Sequence, residues 1–487
     1  MALRPPGAGS SASGGLRVAF IHPDLGLGGA ERLVVDAATE LARAGHHVDL
    51  FTAYYDPARC FEETKTGGFA VRTAGGWFPR HILGRMHALC AYVRCVLVAI
   101  HIAWRCWTGA LAPYDVVIAD LVAVAVPVVK LLMPNTRVLF YCHFPDMLLT
   151  KRESALKKLY RAPLDWLEEG STGAADLVLV NSRFTRGVFA STFTRLAARG
   201  LDPGVLYPAV PIPEEAALAA AEAAWRSELD PELAEFIAGG TTFLSINRFE
   251  RKKGIGLALE ALHELMVMRA GQGAGPPGGG ETPAAAPGGG GAGASGRAGA
   301  GGDWSPRLVL AGGYDPRLSE NVEHLAELRE AAAVMDLRHV VRFVPSFTDR
   351  QRTLLLAACR AVLYTPQHEH FGIVPLEAMA AGRPVVAVRS GGPVESVAHG
   401  TVGFLCDPTA ADFATAMQRL MDPRAAQAMG AAARAHVEAS FSRRAFGAQL
   451  EKYVRRLVAG RGAADGVGEQ KKGGRTAGGE EAKGKEL

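Results

Sequence analysis

The sequence predicts an α/β protein made of two Rossmann-like parallel-sheet domains facing across a cleft. Three observations carry this. The chain opens with a strand, a glycine turn, an amphipathic helix and a second strand, "LRVAFIHPDLGLGGAERLVVDAATELARAGHHVDLFTA", which is a β-α-β unit and so implies parallel strands. The same alternation resumes near Thr241. Between the two series lies "YPAVPIPEE" (207–215), where three prolines break the pattern.

In the first series the apolar run Val18–His22 predicts a strand, and a helix follows from about Ala30 to Ala44. Its apolar stripe is Leu33, Val34, Ala37, Ala38 and Leu41, and Gly45 closes it before a strand at Val48–Thr52. Further strands read at 115–120, 137–144 and 176–182. The second series has strands at 241–249, 307–313, 340–346, 361–366 and 384–388, separated by helical patterns. Two open α/β domains place ligands at the carboxyl ends of their strands.

The domain reading is 16–210 for an N-terminal acceptor and membrane domain and 211–442 for a nucleotide-sugar domain. A helix at 443–458 crosses back to brace the first domain. Of the 57 glycines, 15 fall in 271–302, a Gly/Ala/Pro run with too little apolar surface to offset its ordering entropy. It reads as a disordered surface insertion, and 1–15 and 459–487 read as disordered ends.

A formal charge of +4 over 487 residues gives no general case for nucleic-acid binding. Seven cysteines without a CxxC pair or zinc spacing suit a reducing compartment. The first fifteen residues lack the apolar region of a secretory signal, and the terminal "KGKEL" is a chance likeness to a retrieval signal, so the catalytic body is expected to face the cytosol.

The most apolar stretch is 86–107. Arg94 divides it and leaves ten residues, Cys95–Trp104, too few to span a bilayer. A buried core helix and a helix lying in the membrane interface, with arginines snorkelling and tryptophans at headgroup depth, both remain open. The neighbours "GGWFPRHILGRMHA" and "KRESALKKLYRAP" (151–163) fit an anionic membrane or a lipid diphosphate, which favours peripheral or monotopic attachment; as charge runs alone they read equally as solvated faces.

Chemistry concentrates in "QHEHFGIVPLEAMAAGRPVVA" (367–387). The loop after a strand carries Glu369, and Gly372 and Pro375 mark a helix start with Glu377 near its first turn. Backbone amides of Phe371, Gly372, Ile373 and Val374, with the helix dipole, suit a phosphate. Carboxylates suit sugar and ribose hydroxyls, so acids at both ends of a diphosphate site suggest a nucleotide-sugar. "HEH" (368–370) lacks the further ligands a metal would need. In "SINRFERKKG" (245–254), Arg248 and Lys253 supply cations for a diphosphate leaving group; a solvated basic turn is the plain alternative. "GLGGAE" (26–31) offers Gly28 and Gly29 for close approach but has Glu31 where a dinucleotide fingerprint requires glycine. "YCHFPD" (141–146) puts His143 at the end of a strand. No D-x-D occurs, and the helix amides, Arg248 and Lys253 are expected to hold the diphosphate without a metal.

GGAE (28–31), NRFERKKG (247–254) and the pair Glu369 and Glu377 resemble the retaining glycosyltransferases of family four, whose fold is GT-B. Longer blocks, "YCHFPDMLLTKRESALKKLYRAPLDWLEE" and "AGGYDPRLSENVEH" among them, are similar to the eukaryotic α-1,3/1,6-mannosyltransferases of that family, over about 16–458 without the insertion. The resemblance implies GDP-mannose as donor and a dolichol-diphosphate-linked oligosaccharide as acceptor, on the cytosolic face of the endoplasmic reticulum membrane. It implies α-1,3- then α-1,6-mannose added to mannosyl-chitobiosyl-diphosphodolichol for protein N-glycosylation, with other mannosyltransferases of lipid-linked oligosaccharide synthesis as partners.

In that family Glu369 would contact sugar hydroxyls, Glu377 the ribose, and Arg248 and Lys253 the diphosphate. Gly28 and Gly29 would approach the donor from the opposite domain, and His143 would lie near the transferring sugar. Lys151, Arg152, Lys157, Lys158 and Arg161 are candidates for the lipid diphosphate. Retention can follow double displacement, with Glu369 the obvious carboxylate, or front-face attack within an ion pair. Two other readings share these features: a catalytically silent nucleotide-sugar-binding scaffold at the same membrane, and an NAD oxidoreductase, against which the missing fingerprint glycine counts.

Overall fold

In the computed structural model the described residues are 14–82, 86–149, 155–273 and 305–466, with the side chains of 149, 155–157, 271–273 and 461–466 left aside. Lys151, Arg152 and most of the three segments read as disordered lie outside the described residues, as does the side chain of Lys157.

The chain divides into two compact units. Unit 1 comprises residues up to Val180, Phe189–Leu206 and everything from Gly447; unit 2 comprises Asn181–Val188 and Tyr207–Phe446. Unit 1 holds a seven-stranded sheet in the order β3-β2-β1-β4-β5-β6-β7. Its strands are β1 (Arg17–His22), β2 (His47–Thr52), β3 (Ala70–Thr73), β4 (Val116–Asp120), β5 (Arg137–Cys142), β6 (Leu177–Val180) and β7 (Gly204–Val205). All neighbours pair in parallel, with Val18 opposite both Val48 and Val116. β1 and β4 are therefore adjacent although far apart in sequence, and the order reverses between them.

Unit 2 repeats the plan with six parallel strands, β10-β9-β8-β11-β12-β13. These are β8 (Thr241–Ile246), β9 (Pro306–Gly312), β10 (Val341–Pro345), β11 (Ala361–Tyr364), β12 (Val385–Val388) and β13 (Gly403–Cys406). Successive residues enter opposite cores. Phe243, Leu308, Leu310 and Leu363 join one cluster, while Leu244, Val309, Val362 and Val385 join the other. That is why these strands are continuous apolar runs: both faces are covered by helices.

The sequence pattern did not register β3, β7 and β13. β3 and β7 are short edge strands with partly exposed side chains, and β13 has only four residues, beginning on Gly403. Too few residues alternate there for a period to appear.

The stretch read as interrupted at Arg94 is one continuous helix, His87–Trp107, long and apolar enough by length and composition to cross a membrane. Cys95, Val98, Ala99, Ile102 and Ala103 form its buried face, while Ile100, Trp104 and Trp107 are exposed. Arg94 does not snorkel: its side chain is 3% exposed and its guanidinium forks onto Asp24 at 2.7 and 2.9 Å. A charge held by a bidentate partner is compatible with the helix interior face.

The last helix runs Arg443–Gly466, beyond the expected end at Val458. From Gly447 it packs on unit 1, where Tyr453 donates to the Val205 carbonyl at 3.1 Å and Glu451 lies 3.6 Å from His46.

Candidate active site

In unit 2 the strand order reverses between β8 and β11, where a doubly wound sheet opens a crevice beyond its strand ends. A cavity of about 270 Å³ lies there, lined by Asn247, Arg248, Lys253, Tyr364, Glu369, Ile373 and Val374. The two loops that build it are tied together. Arg251–Lys253 forms a 3-10 turn, and the Thr365 hydroxyl donates to the Lys253 carbonyl at 2.8 Å. The Lys253 ammonium ion-pairs with the Glu369 carboxylate, both largely shielded from solvent. Arg248 is 64% exposed and sits 3.0 Å from Glu250, which also holds Lys252.

Glu369 is set from behind by a segment that sequence reasoning passed over. The Gly392 amide donates to the Glu369 carbonyl at 2.8 Å, and the His368 amide donates to Ser390 Oγ at 3.1 Å. The available signal was the "SGGP" run after β12. His370 is partly buried, and that desolvation pushes its imidazole below the ordinary value.

The helix Ile373–Ala380 starts on Gly372, whose φ of 77° is open to glycine and strained for other residues. No side chain caps it. Its first-turn amides have no acceptor within the helix, and with the dipole they form a positive concavity beside Glu369.

Glu377 does not share the Glu369 cavity. Its carboxylate accepts from Arg352 at 2.8 Å and lines a second cavity of about 180 Å³ with Pro211, Pro213 and Leu218. The physical reason is position along the helix. Four residues beyond Ile373, Glu377 is one turn on, about 6 Å along the axis. Burial raises its pKa against the opposing pull of Arg352.

In unit 1, Gly28 precedes the helix Gly29–Arg43 and Gly29 begins it, just beyond the carboxyl end of β1. Open space surrounds the point where a Cβ on Gly29 would sit. His143 follows β5, and its Nε2 lies 2.8 Å from Asp120 Oδ1 at the end of β4. The other oxygen of Asp120 lies 2.9 Å from His22 Nδ1 at the end of β1. Asp120 and His22 lie inside predicted strands, and no motif in the sequence marks them as site residues. A strand-terminal acid is visible in sequence; its two imidazole neighbours are not.

Arg161 leaves the lipid-diphosphate set. It is 2% exposed and neutralised by Asp146 at 2.9 Å and Asp165 at 3.3 Å, so its charge is spent inside unit 1. Its acidic partners hold it inward, while Lys158, three residues earlier on the same helix, is exposed.

Residues 27–203 match the family model for Glycosyltransferase Family 4, and residues 304–436 match that for Glycosyl transferases group 1. The α-1,3/1,6-mannosyltransferase ALG2 of Homo sapiens is 44% identical over 446 residues, covering 91% of this chain and 96% of its own. The Dictyostelium discoideum ALG2 is 41% identical, covering 91% and 98%. Among solved structures, a sucrose-phosphate synthase from Thermosynechococcus elongatus aligns with a TM-score of 0.61 at 22% identity, covering 91% of this chain and all of that one. Anabaena HepE in complex with UDP and glucose aligns with a TM-score of 0.56 at 19% identity, covering 90% and 99%. Two doubly wound parallel sheets with these matches define a glycosyltransferase of the GT-B fold. More narrowly, the chain belongs to the ALG2 family of α-1,3/1,6-mannosyltransferases.

Proposed function

We propose that this protein is a retaining mannosyltransferase that takes mannose from GDP-mannose. It adds an α-1,3- and then an α-1,6-linked residue to mannosyl-chitobiosyl-diphosphodolichol at the cytosolic face of the endoplasmic reticulum membrane. The observation that carries this reading is the unit 2 cavity, where Lys253, Arg248 and an uncapped helix start converge beside a carboxylate. Diphosphate departure develops negative charge, and preorganised cations and amides lower its barrier. Glu369, held by Lys253, suits the hydroxyls of a sugar. A nucleoside diphosphate reaching one helical turn further meets Glu377 with its ribose hydroxyls.

The cations and amides supply the charge stabilisation that a metal supplies elsewhere, so transfer is proposed to proceed without one. Front-face attack fits this set of groups, since the departing phosphate itself takes the acceptor proton. Gly28, Gly29 and His143 are proposed as further ligand-contacting residues. The exposed Trp77, Trp104 and Trp107 and the surface cation Lys158 support a peripheral or monotopic membrane attachment.

The test is transfer of radiolabelled mannose from GDP-mannose to a mannosyl-chitobiosyl-diphosphate lipid in EDTA. Two mannoses added by the wild type, and loss in Arg248→Ala and Glu377→Ala, are the expected results. GDP-mannose binding without transfer would favour a silent scaffold; transfer retained by both variants would mean the site is misplaced.

A further inference from the structure

The carboxyl ends of β1, β4 and β5 bring together three side chains that the reading above uses only in part. Asp120 is 1% exposed and stands between two imidazoles, one on each carboxylate oxygen. An ionised carboxylate only accepts hydrogen bonds, so each nitrogen facing it carries a proton: Nδ1 of His22 and Nε2 of His143. The two bonds together hold the acid below its ordinary pKa despite the cost of burial. His22 is fully buried, and its far nitrogen, Nε2, meets no hydrogen-bond partner. The array therefore opens to the surface on one side only, through His143, whose side chain is 19% exposed. The Tyr141 ring packs on that imidazole in a T-shaped contact with centroids 4.8 Å apart.

We propose that Asp120 is a positioning residue for mannosyl transfer: anchored by His22, it fixes the orientation of the His143 ring and the proton on its Nε2. This inference rests on the mannosyltransferase reading and on His143 meeting the transferring sugar. A ring locked in this way carries its proton on Nε2 and its lone pair on Nδ1. Loss of the acid leaves the ring in place sterically but lets both tautomers and several orientations form. The cost then falls on turnover more than on binding, because the misplaced proton is felt in the transition state.

The experiment combines kinetics with a direct reading of the tautomer. Mannose transfer is measured for wild type, Asp120→Asn, His143→Ala and the double variant, with kcat and the KM of donor and acceptor determined separately. Asp120→Asn is expected to lower kcat at least about tenfold with KM within about twofold, as when a triad aspartate loses its orienting role. It is expected to add no further loss in the His143→Ala background. An equal loss in both backgrounds overturns the proposal, because Asp120 would then act through the fold and not through His143. Long-range 1H–15N spectra of wild type labelled at histidine give an independent reading, whether or not the Asn variant folds. A proton on His143 Nε2 is expected, and a proton on Nδ1 alone overturns the proposal. Wild-type protein that transfers no mannose refutes the mannosyltransferase reading instead, and is distinguished by its lack of turnover in the unsubstituted chain.

Discussion

Lys253 and Glu369 stand 116 residues apart in sequence and form an ion pair in the lining of the unit 2 cavity. Each is the neutralising partner of the other, so a diphosphate drawing on the ammonium and a sugar drawing on the carboxylate would act on one coupled unit. Lys253→Ala is expected to cost roughly 2–4 kcal/mol of transition-state stabilisation. Glu369→Gln should also lower kcat/KM. The double variant should lose less than the sum, a coupling that a double-mutant cycle on transfer rates measures directly.

Arg352 is the charge partner of the mostly buried Glu377. Arg352→Ala strands that carboxylate and should destabilise unit 2 by about 1–3 kcal/mol in denaturant unfolding. The Glu377 pKa is raised on folding, so its contribution to stability is full below the ordinary value of 4.5 and is lost as pH rises through the folded value. The loss caused by Arg352→Ala should therefore be larger at neutral than at acid pH. Adding Glu377→Gln should relieve most of it.

Glu168 offers a second pH test, in unit 1. It accepts from the amides of Asp146 at 2.7 Å and Met147 at 3.0 Å, yet burial pushes its pKa up to about 7 from an ordinary 4.5. As pH rises the unfolded chain releases this proton first. Stability should decline between those two values, by up to about 3 kcal/mol. Glu168→Gln should flatten that slope in melting curves recorded across the window, at the cost of one backbone hydrogen bond.

Gly29 and Gly312 should respond oppositely to alanine. A Cβ on Gly312 would fall 1.6 Å from the Asn247 carbonyl oxygen, where β9 passes the end of β8. Gly312→Ala is expected to lower thermal stability markedly, since backbone must move. At Gly29 nothing lies within 4 Å, and the position is the first of a helix. Gly29→Ala should hold stability or gain up to about 1 kcal/mol. Any fall in transfer by this variant then reports the approach of a ligand.

Trp104 and Trp107 are 55% and 67% exposed on the helix whose other face is core. Replacing both by serine should weaken sedimentation with anionic phospholipid vesicles while leaving the melting temperature nearly unchanged. Unaltered vesicle binding would remove this helix from the membrane contact.

By itself the sequence determined the two parallel-sheet series and the residues at their key strand ends. Continuous apolar runs bounded by glycine and proline are local consequences of strands buried on both faces. Arg248, Lys253 and Glu369 were legible because each follows such a run within a few residues. Tertiary structure alone decided which of these ends meet. His22 lies 98 residues from Asp120, and the two touch because β1 and β4 are neighbours where the order reverses. Likewise, only the folded chain shows Arg161 turned into acidic partners and Glu377 paired with Arg352 in a second cavity. Periodicity records whether a side chain is covered. It carries no information about the partner that covers it, which depends on strand order and helix rotation across long stretches of chain.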